Sequence, residues 1–189
     1  MTDALWYVGR GTGVMTLVLF SLVVALGIAT RSARPLFGLP RFAITSVHRS
    51  ASLLGLAFLV IHVAMMLFDP YAPVSLVNVV LPFVGTYRPF WLGLGTIAAE
   101  LLVALIVTSL LRQRIGLRAW KFVHGAAYVA WPVAVLHAVG TGTDNGRLWL
   151  WLTVGACAAL VLASAGWRLS FSPPGQPARH PARQPVGAR

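Results

Sequence analysis

Five apolar runs, each close to the length of a membrane crossing, constrain this chain more than any other feature. They cover roughly residues 12–30, 46–68, 91–111, 120–139 and 147–168. A helix rises about 1.5 Å per residue, so about 20 apolar residues cross a hydrocarbon core of about 30 Å. The expectation is an all-α integral membrane bundle of five transmembrane helices. Composition agrees: of 189 residues, 58% are hydrophobic and only 10% charged, which is the membrane class. The first run is not read as a signal peptide. It lacks a basic lead-in and a small-residue cleavage site, and Arg31 and Arg34 follow it as a stop.

The formal charge of +11 raises nucleic acid as a partner, but the cations follow the spans instead. Arg31, Arg34, Arg41 and Arg49 lie between runs one and two. Arg112, Arg114, Arg118 and Lys121 lie between three and four, and Arg168, Arg179, Arg183 and Arg189 follow run five. The alternate connections pair few cations with an acid: Asp3 with Arg10, Asp69 with Arg88, Asp144 with Arg147. This is the positive-inside pattern. It predicts a multi-pass cell-membrane protein with its N-terminus outside and its C-terminus cytoplasmic, and with the lipid bilayer, not nucleic acid, as the surrounding partner.

Residues 1–170 read as one membrane domain. The connection 69–90 has an apolar core from about Val74 to Val84 that contains Pro82. It is too short to span, so it is expected to be a re-entrant or interfacial lid on the outer face. Residues 171–189, including His180, are rich in Pro, Ala and Arg and are expected to form a disordered tail.

Four histidines carry the chemistry. His48 and His62 are 14 residues apart in the second run; His124 and His137 are 13 apart in the fourth. Each pair is separated by roughly 20 Å along its helix. Runs two and four both travel from inside to outside, so the helices are parallel. Two clamps are then expected: His48 with His124 on the inner side, and His62 with His137 on the outer. Stacked bis-histidine haem sites need this arrangement. The alternatives are histidines that only hydrogen-bond neighbouring helices, and zinc, which the wide spacing and lack of accompanying Cys or Asp disfavour. The single cysteine, Cys157, lies mid-span, so no covalent haem attachment motif exists. Helical phase is uneven: 14 residues return to within about 40° of one face, whereas 13 miss by about 140°. Pro132, between His124 and His137, is expected to kink or rewind the helix there.

The stretches HRSASLLGLAFLVIH (48–62), YRPFWLGLG (87–95), LRAWKFVHGAAYVAWPVAVLH (117–137) and WYVGRGTG (6–13) resemble the ferric reductase-like transmembrane domain. That is the haem-bearing membrane part of ferric reductases and NADPH oxidases, and of the haem subunit serving periplasmic methionine-sulfoxide reductase. The resemblance covers roughly residues 6–168. It implies two b-type haems, each with two axial histidines. Larger members add an N-terminal helix and a C-terminal FAD/NADPH module, for which this sequence shows no counterpart, so NADPH oxidation by the chain alone is not expected.

Haem propionates need cations near the membrane surfaces. Arg49, Arg118 and Lys121 are expected on the inner side; Arg10, Arg88 and Arg147 on the outer, with Arg10 and Arg88 inside motifs shared with the family. The glycines of GRGTG are expected to allow close packing against a large ring. Glu100, mid-span, suggests a proton path or a polar contact to a haem pocket, or else a protonated acid bonded to a neighbouring helix. Met65 and Met66 are conceivable axial ligands, but the histidines already fill four positions.

The leading functional expectation is a transmembrane electron conduit. A cytoplasmic flavoprotein carrying FMN or FAD, or a membrane quinol, is the donor, and the acceptor lies outside. A quinol-linked cytochrome b subunit of a respiratory complex is the alternative within the same class. A haem-free transporter or scaffold is the alternative from a different class.

Overall fold

The computed structural model describes residues 2–30, 40–70, 74–144 and 146–170. The expected tail, with His180, and the loop residues Arg31 and Arg34 lie outside the described residues. Among the described residues eight helices follow in order: α1 (Thr2–Ala29), α2 (Arg41–Phe68), α3 (Leu76–Val80), α4 (Pro89–Leu110), α5 (Arg112–Ile115), α6 (Leu117–Gly125), α7 (Ala127–Thr141) and α8 (Leu148–Ser170). No strand occurs among the described residues. Five spans are long and apolar enough to cross a membrane: α1, α2, α4, α6 with α7, and α8. The chain is a multi-pass membrane protein.

Two antiparallel helix pairs build the bundle. α1 packs along α2, with α8 against the other side of α1, while α4 packs along α7. Small residues make the first contact close. Gly55 of α2 lies against Phe20 and Leu19 of α1, where an added Cβ would meet the Phe20 ring at 3.1 Å. Without a hydrophobic force between helices in lipid, such close van der Waals contact is the main source of association. The two halves are joined at mid-depth by Trp131, whose indole N–H donates to the Ser21 hydroxyl at 2.8 Å. Ser21 is fully buried and in turn donates to the Leu17 carbonyl at 2.7 Å. Elsewhere α2 and α7 stand apart, and a cavity of about 910 Å³ fills the space between the halves.

The fourth span departs from expectation in one detail. Its helix is interrupted at Ala126, between α6 and α7, while Pro132 sits inside α7 without ending it. Around Ala126 the bonds tighten to three residues: Ala126 N–H donates to Val123 O at 2.9 Å, and Val129 N–H to Ala126 O at 3.0 Å. Tighter winding turns the chain through more angle per residue. A 13-residue spacing falls short of whole turns, and this local overwinding supplies part of the missing rotation. A tightened turn therefore lies directly after His124, ahead of Pro132.

The connection between α2 and α4 folds back on α4 through α3. The Thr96 hydroxyl donates to the Asn78 carbonyl at 2.7 Å. Ser75 and Asn78 form a reciprocal cap at the start of α3. Leu76, Val77, Val80 and Leu81 remain exposed, which suits a segment lying at a membrane interface.

Candidate functional site

The four histidines come together in two pairs inside the one cavity. The rings of His48 and His124 have centroids 6.5 Å apart, and those of His62 and His137 are also 6.5 Å apart. A metal–imidazole bond is about 2.0 Å and the ring centre lies roughly 1.1 Å behind its nitrogen, so two imidazoles on opposite sides of one metal have centres about 6.2 Å apart. Both pairs match that separation. A bare ion needs more ligands than two, and among the described residues no group of three or more His, Cys, Asp or Glu is placed to hold one. A porphyrin supplies four nitrogens itself and leaves two axial positions. The donor set therefore fits haem, and the largely apolar cavity fits the ring.

Each of three imidazoles is held by the same backbone device. His62 Nδ1–H donates to the Gly9 carbonyl at 2.6 Å, His48 Nδ1–H to Val23 at 3.0 Å, and His137 Nδ1–H to Trp91 at 2.9 Å. A carbonyl only accepts, so Nδ1 carries the proton and Nε2 keeps its lone pair for a metal. All three carbonyls lie within helices, where each already accepts a bond from the residue four positions later. That later residue is glycine every time: Gly13, Gly27 and Gly95. Helical side chains tilt toward the N-terminus and cover the preceding turn. Glycine leaves the carbonyl uncovered and gives the imidazole room. An added Cβ would overlap the His137 ring at Gly95, come to 2.9 Å from His62 at Gly13, and to 3.4 Å from His48 at Gly27.

The sequence reading missed these slots, though it held a signal for them. Gly13 and Gly27 are 14 residues apart on α1, matching His48 and His62 on the antiparallel α2. On α4 the position 14 residues after Gly95 is Ser109, not glycine. Its hydroxyl accepts the Trp120 indole N–H at 3.2 Å, and the Trp120 ring stacks on His124 at 4.9 Å between centroids.

The expected anchoring cations divide. Arg10 lines the cavity, forms an ion pair with Asp144 and lies 5.6 Å from the centroid of Trp6. Arg88 donates from Nη1 to the Gly140 carbonyl at 2.8 Å and lies 5.8 Å from the Tyr87 ring centroid. Its own backbone is left-handed, φ 39°, a conformation that costs a non-glycine residue about 1–3 kcal/mol and persists only where the surroundings enforce it. Arg49 lines the opposite end of the cavity and is exposed. Arg88, Arg118, Lys121 and Arg147 do not line it; Arg112 and Gln113 do. Met66 lines the cavity, and its side chain lies against Gly9 of α1. Glu100 is exposed and is not part of the cavity wall, so it makes no contact with a pocket there.

No curated protein and no solved structure matches the chain. One family model does, over residues 12–135, a stretch that takes in His48, His62 and His124 and stops two residues before His137. With two thirds of its length matched, the chain belongs to the family described as ferric reductase like transmembrane component.

Proposed function

We propose that this chain carries electrons across the membrane through two b-type haems, one held by His48 and His124 and the other by His62 and His137. The observation that carries the proposal is the pair of 6.5 Å ring separations inside a single cavity. Membership of a ferric reductase-like family supports transmembrane electron transfer as the general activity. Bound haem would supply one-electron iron redox chemistry.

The protein's own contribution is positional. The uncovered carbonyls of Gly9, Val23 and Trp91 orient three imidazoles and raise their basicity as ligands. With His48 and His124, and His62 and His137, each committed as a pair, bound haem would carry electrons and would not bind oxygen. The apolar wall excludes water. Trp131, fixed by Ser21, places an aromatic ring between the levels of the two histidine pairs. Arg10 at one end, and Arg49 and Arg112 at the other, are the cations on the cavity wall that would face propionates; Arg88 and Arg118 lie outside that wall.

From the distribution of cations, the N-terminus is outside and the donor cytoplasmic, either a flavoprotein with FMN or FAD or a quinol. The basic edge of Arg112, Arg114, Arg118 and Lys121 suits an acidic partner surface. The acceptor lies outside. A reduced-minus-oxidised optical spectrum and a pyridine haemochrome assay on purified protein test the core of the proposal, with two low-spin b-type haems per chain expected. Haem-free protein after haem-sufficient expression would sink it. A cytoplasm-active reporter fused after Arg189 tests the orientation, and a dark fusion reverses it.

A further inference from the structure

We infer that a second copy of this chain packs against the outward face of α4, with Glu100 of each copy paired across a two-fold axis normal to the membrane. Glu100 is the twelfth residue of the 22-residue α4. It therefore sits roughly 15 Å from either end of the helix, in the centre of the hydrocarbon. It is too far from either surface for its short side chain to reach water. Acids at this depth almost always face a bundle interior or a partner. Here the interior is the wrong side. Gly95, Ala98, Leu102, Leu105 and Ser109 line the cavity, and Glu100 lies on the opposite face at 100° per residue. Glu100 is exposed, and among the described residues it makes no hydrogen bond or ion pair.

The stripe around it is continuous. Val103 (52% exposed), Val107 (45%) and Leu111 (39%) share its face, with exposed Ala104 one turn along. Toward the α3 end that same face is already covered: Thr96 bonds to Asn78, and Phe83 lies against Gly93. Glu100 thus marks the point where protein cover on α4 stops.

The chemistry selects the occupant. The described spans offer no Lys or Arg at mid-depth; Arg10, Arg49, Arg118, Lys121 and Arg168 all sit near span ends. A carboxyl group, unlike a cation, can pair with itself, because two protonated carboxyls each donate one hydrogen bond and accept one. In an isologous dimer each residue near the axis meets its own copy at equal depth. Ala104 one turn away is small enough to let the two helices approach closely. The cavity lies on the far side of α4, so the contact leaves the histidines untouched.

The test uses the full chain in nanodiscs or mild detergent. Mass measurement by light scattering should give a dimer. In a Cys157→Ala background, Ala104→Cys should cross-link to a dimer on oxidation, whereas Leu162→Cys on the exposed face of α8 should not. Glu100→Gln, which still donates and accepts, should preserve the dimer. Glu100→Leu should weaken it by about tenfold or more, the size expected of one or two interhelical hydrogen bonds, with helical circular dichroism and haem content unchanged. A monomeric wild type, equal cross-linking at both cysteine positions, or a dimer indifferent to Glu100→Leu overturns the inference. So does co-purification of a different membrane protein whose loss accompanies Glu100→Leu. Haem content is read separately, so failure here leaves the electron-transfer proposal standing, and the reverse also holds.

Discussion

The two ends of the cavity are built differently. At the end of His62 and His137, both imidazoles sit in carbonyl–glycine slots. The nearby arginines are tied down there, Arg10 to Asp144 and Arg88 to the Gly140 carbonyl, and the α3 segment folds over α4. At the end of His48 and His124, one imidazole has such a slot and the other is backed by Trp120, itself held by Ser109. Arg49, Arg112 and Gln113 stand exposed at the mouth. At the closed end Arg10 is paired with an acid and Arg88 is hydrogen-bonded to a backbone carbonyl; the open end presents cations to solvent. A site that must meet a partner cannot also spend its cations internally. The open end thus keeps cations free for an anionic contact, whereas the closed end does not.

The largest effect should come from the ligands. His62→Ala and His137→Ala should each remove the haem of the closed end and leave the other. His48→Ala and His124→Ala should do the converse. Redox titration of the four variants sorts them into two classes, and any class mixing His48 with His137 would break the pairing.

The glycine slots should give a graded series. Gly95→Ala should cost most of one haem, because its Cβ overlaps the His137 ring. Gly13→Ala, at 2.9 Å from His62, should lower occupancy and perturb the axial-ligand spectrum. Gly27→Ala, at 3.4 Å from His48, should be close to neutral. Haem-to-protein ratios check the order; equal losses at all three would show that backbone flexibility, not room for the imidazole, explains the glycines.

The Arg10–Asp144 pair should couple α1 to the loop before α8. Its side chains retain 24% and 17% exposure, so solvent screening trims the coupling to about 1 kcal/mol in a double-mutant cycle. Additive single mutants would show that the closed end is not locked there. The smallest effect is expected from Ser109→Gly, which would give His124 a fourth glycine position. It should shift only the spectrum of the open-end haem, with both haems retained. Unchanged spectra would mean that the Trp120–Ser109 bond does not govern the His124 ring.

Much of the fold was legible before any coordinates. The five spans are set by the length of apolar runs, and all five appear; the first begins at Ala4, ahead of the run at 12–30, and the other four fall close to their runs. The histidine spacing stated which residues could meet at each depth. What could not be read was sidedness. In a soluble helix, polarity marks the outer face; in lipid both faces are apolar, so the pattern that would say which way Glu100 looks is missing. The sequence suggested a haem-pocket or helix-bonded role for that acid, and it faces away from the cavity. Likewise Arg118 was placed with the inner anchors by proximity in sequence to His124, yet its side chain leaves on the outer surface.

By itself, then, the order of residues determined the membrane class, the number of spans and the depth of each histidine, because these depend only on length, hydropathy and rise per residue. Tertiary structure decided the rest. It decided that the fourth span tightens at Ala126, that helix carbonyls opened by glycines four residues on receive three imidazoles, and that Arg10 and Arg88 are engaged by Asp144 and Gly140. The physical reason is common to all three. Each depends on which helix stands beside which, and at what rotation, and in a chain apolar on every side that is set by small-residue packing between segments far apart in sequence.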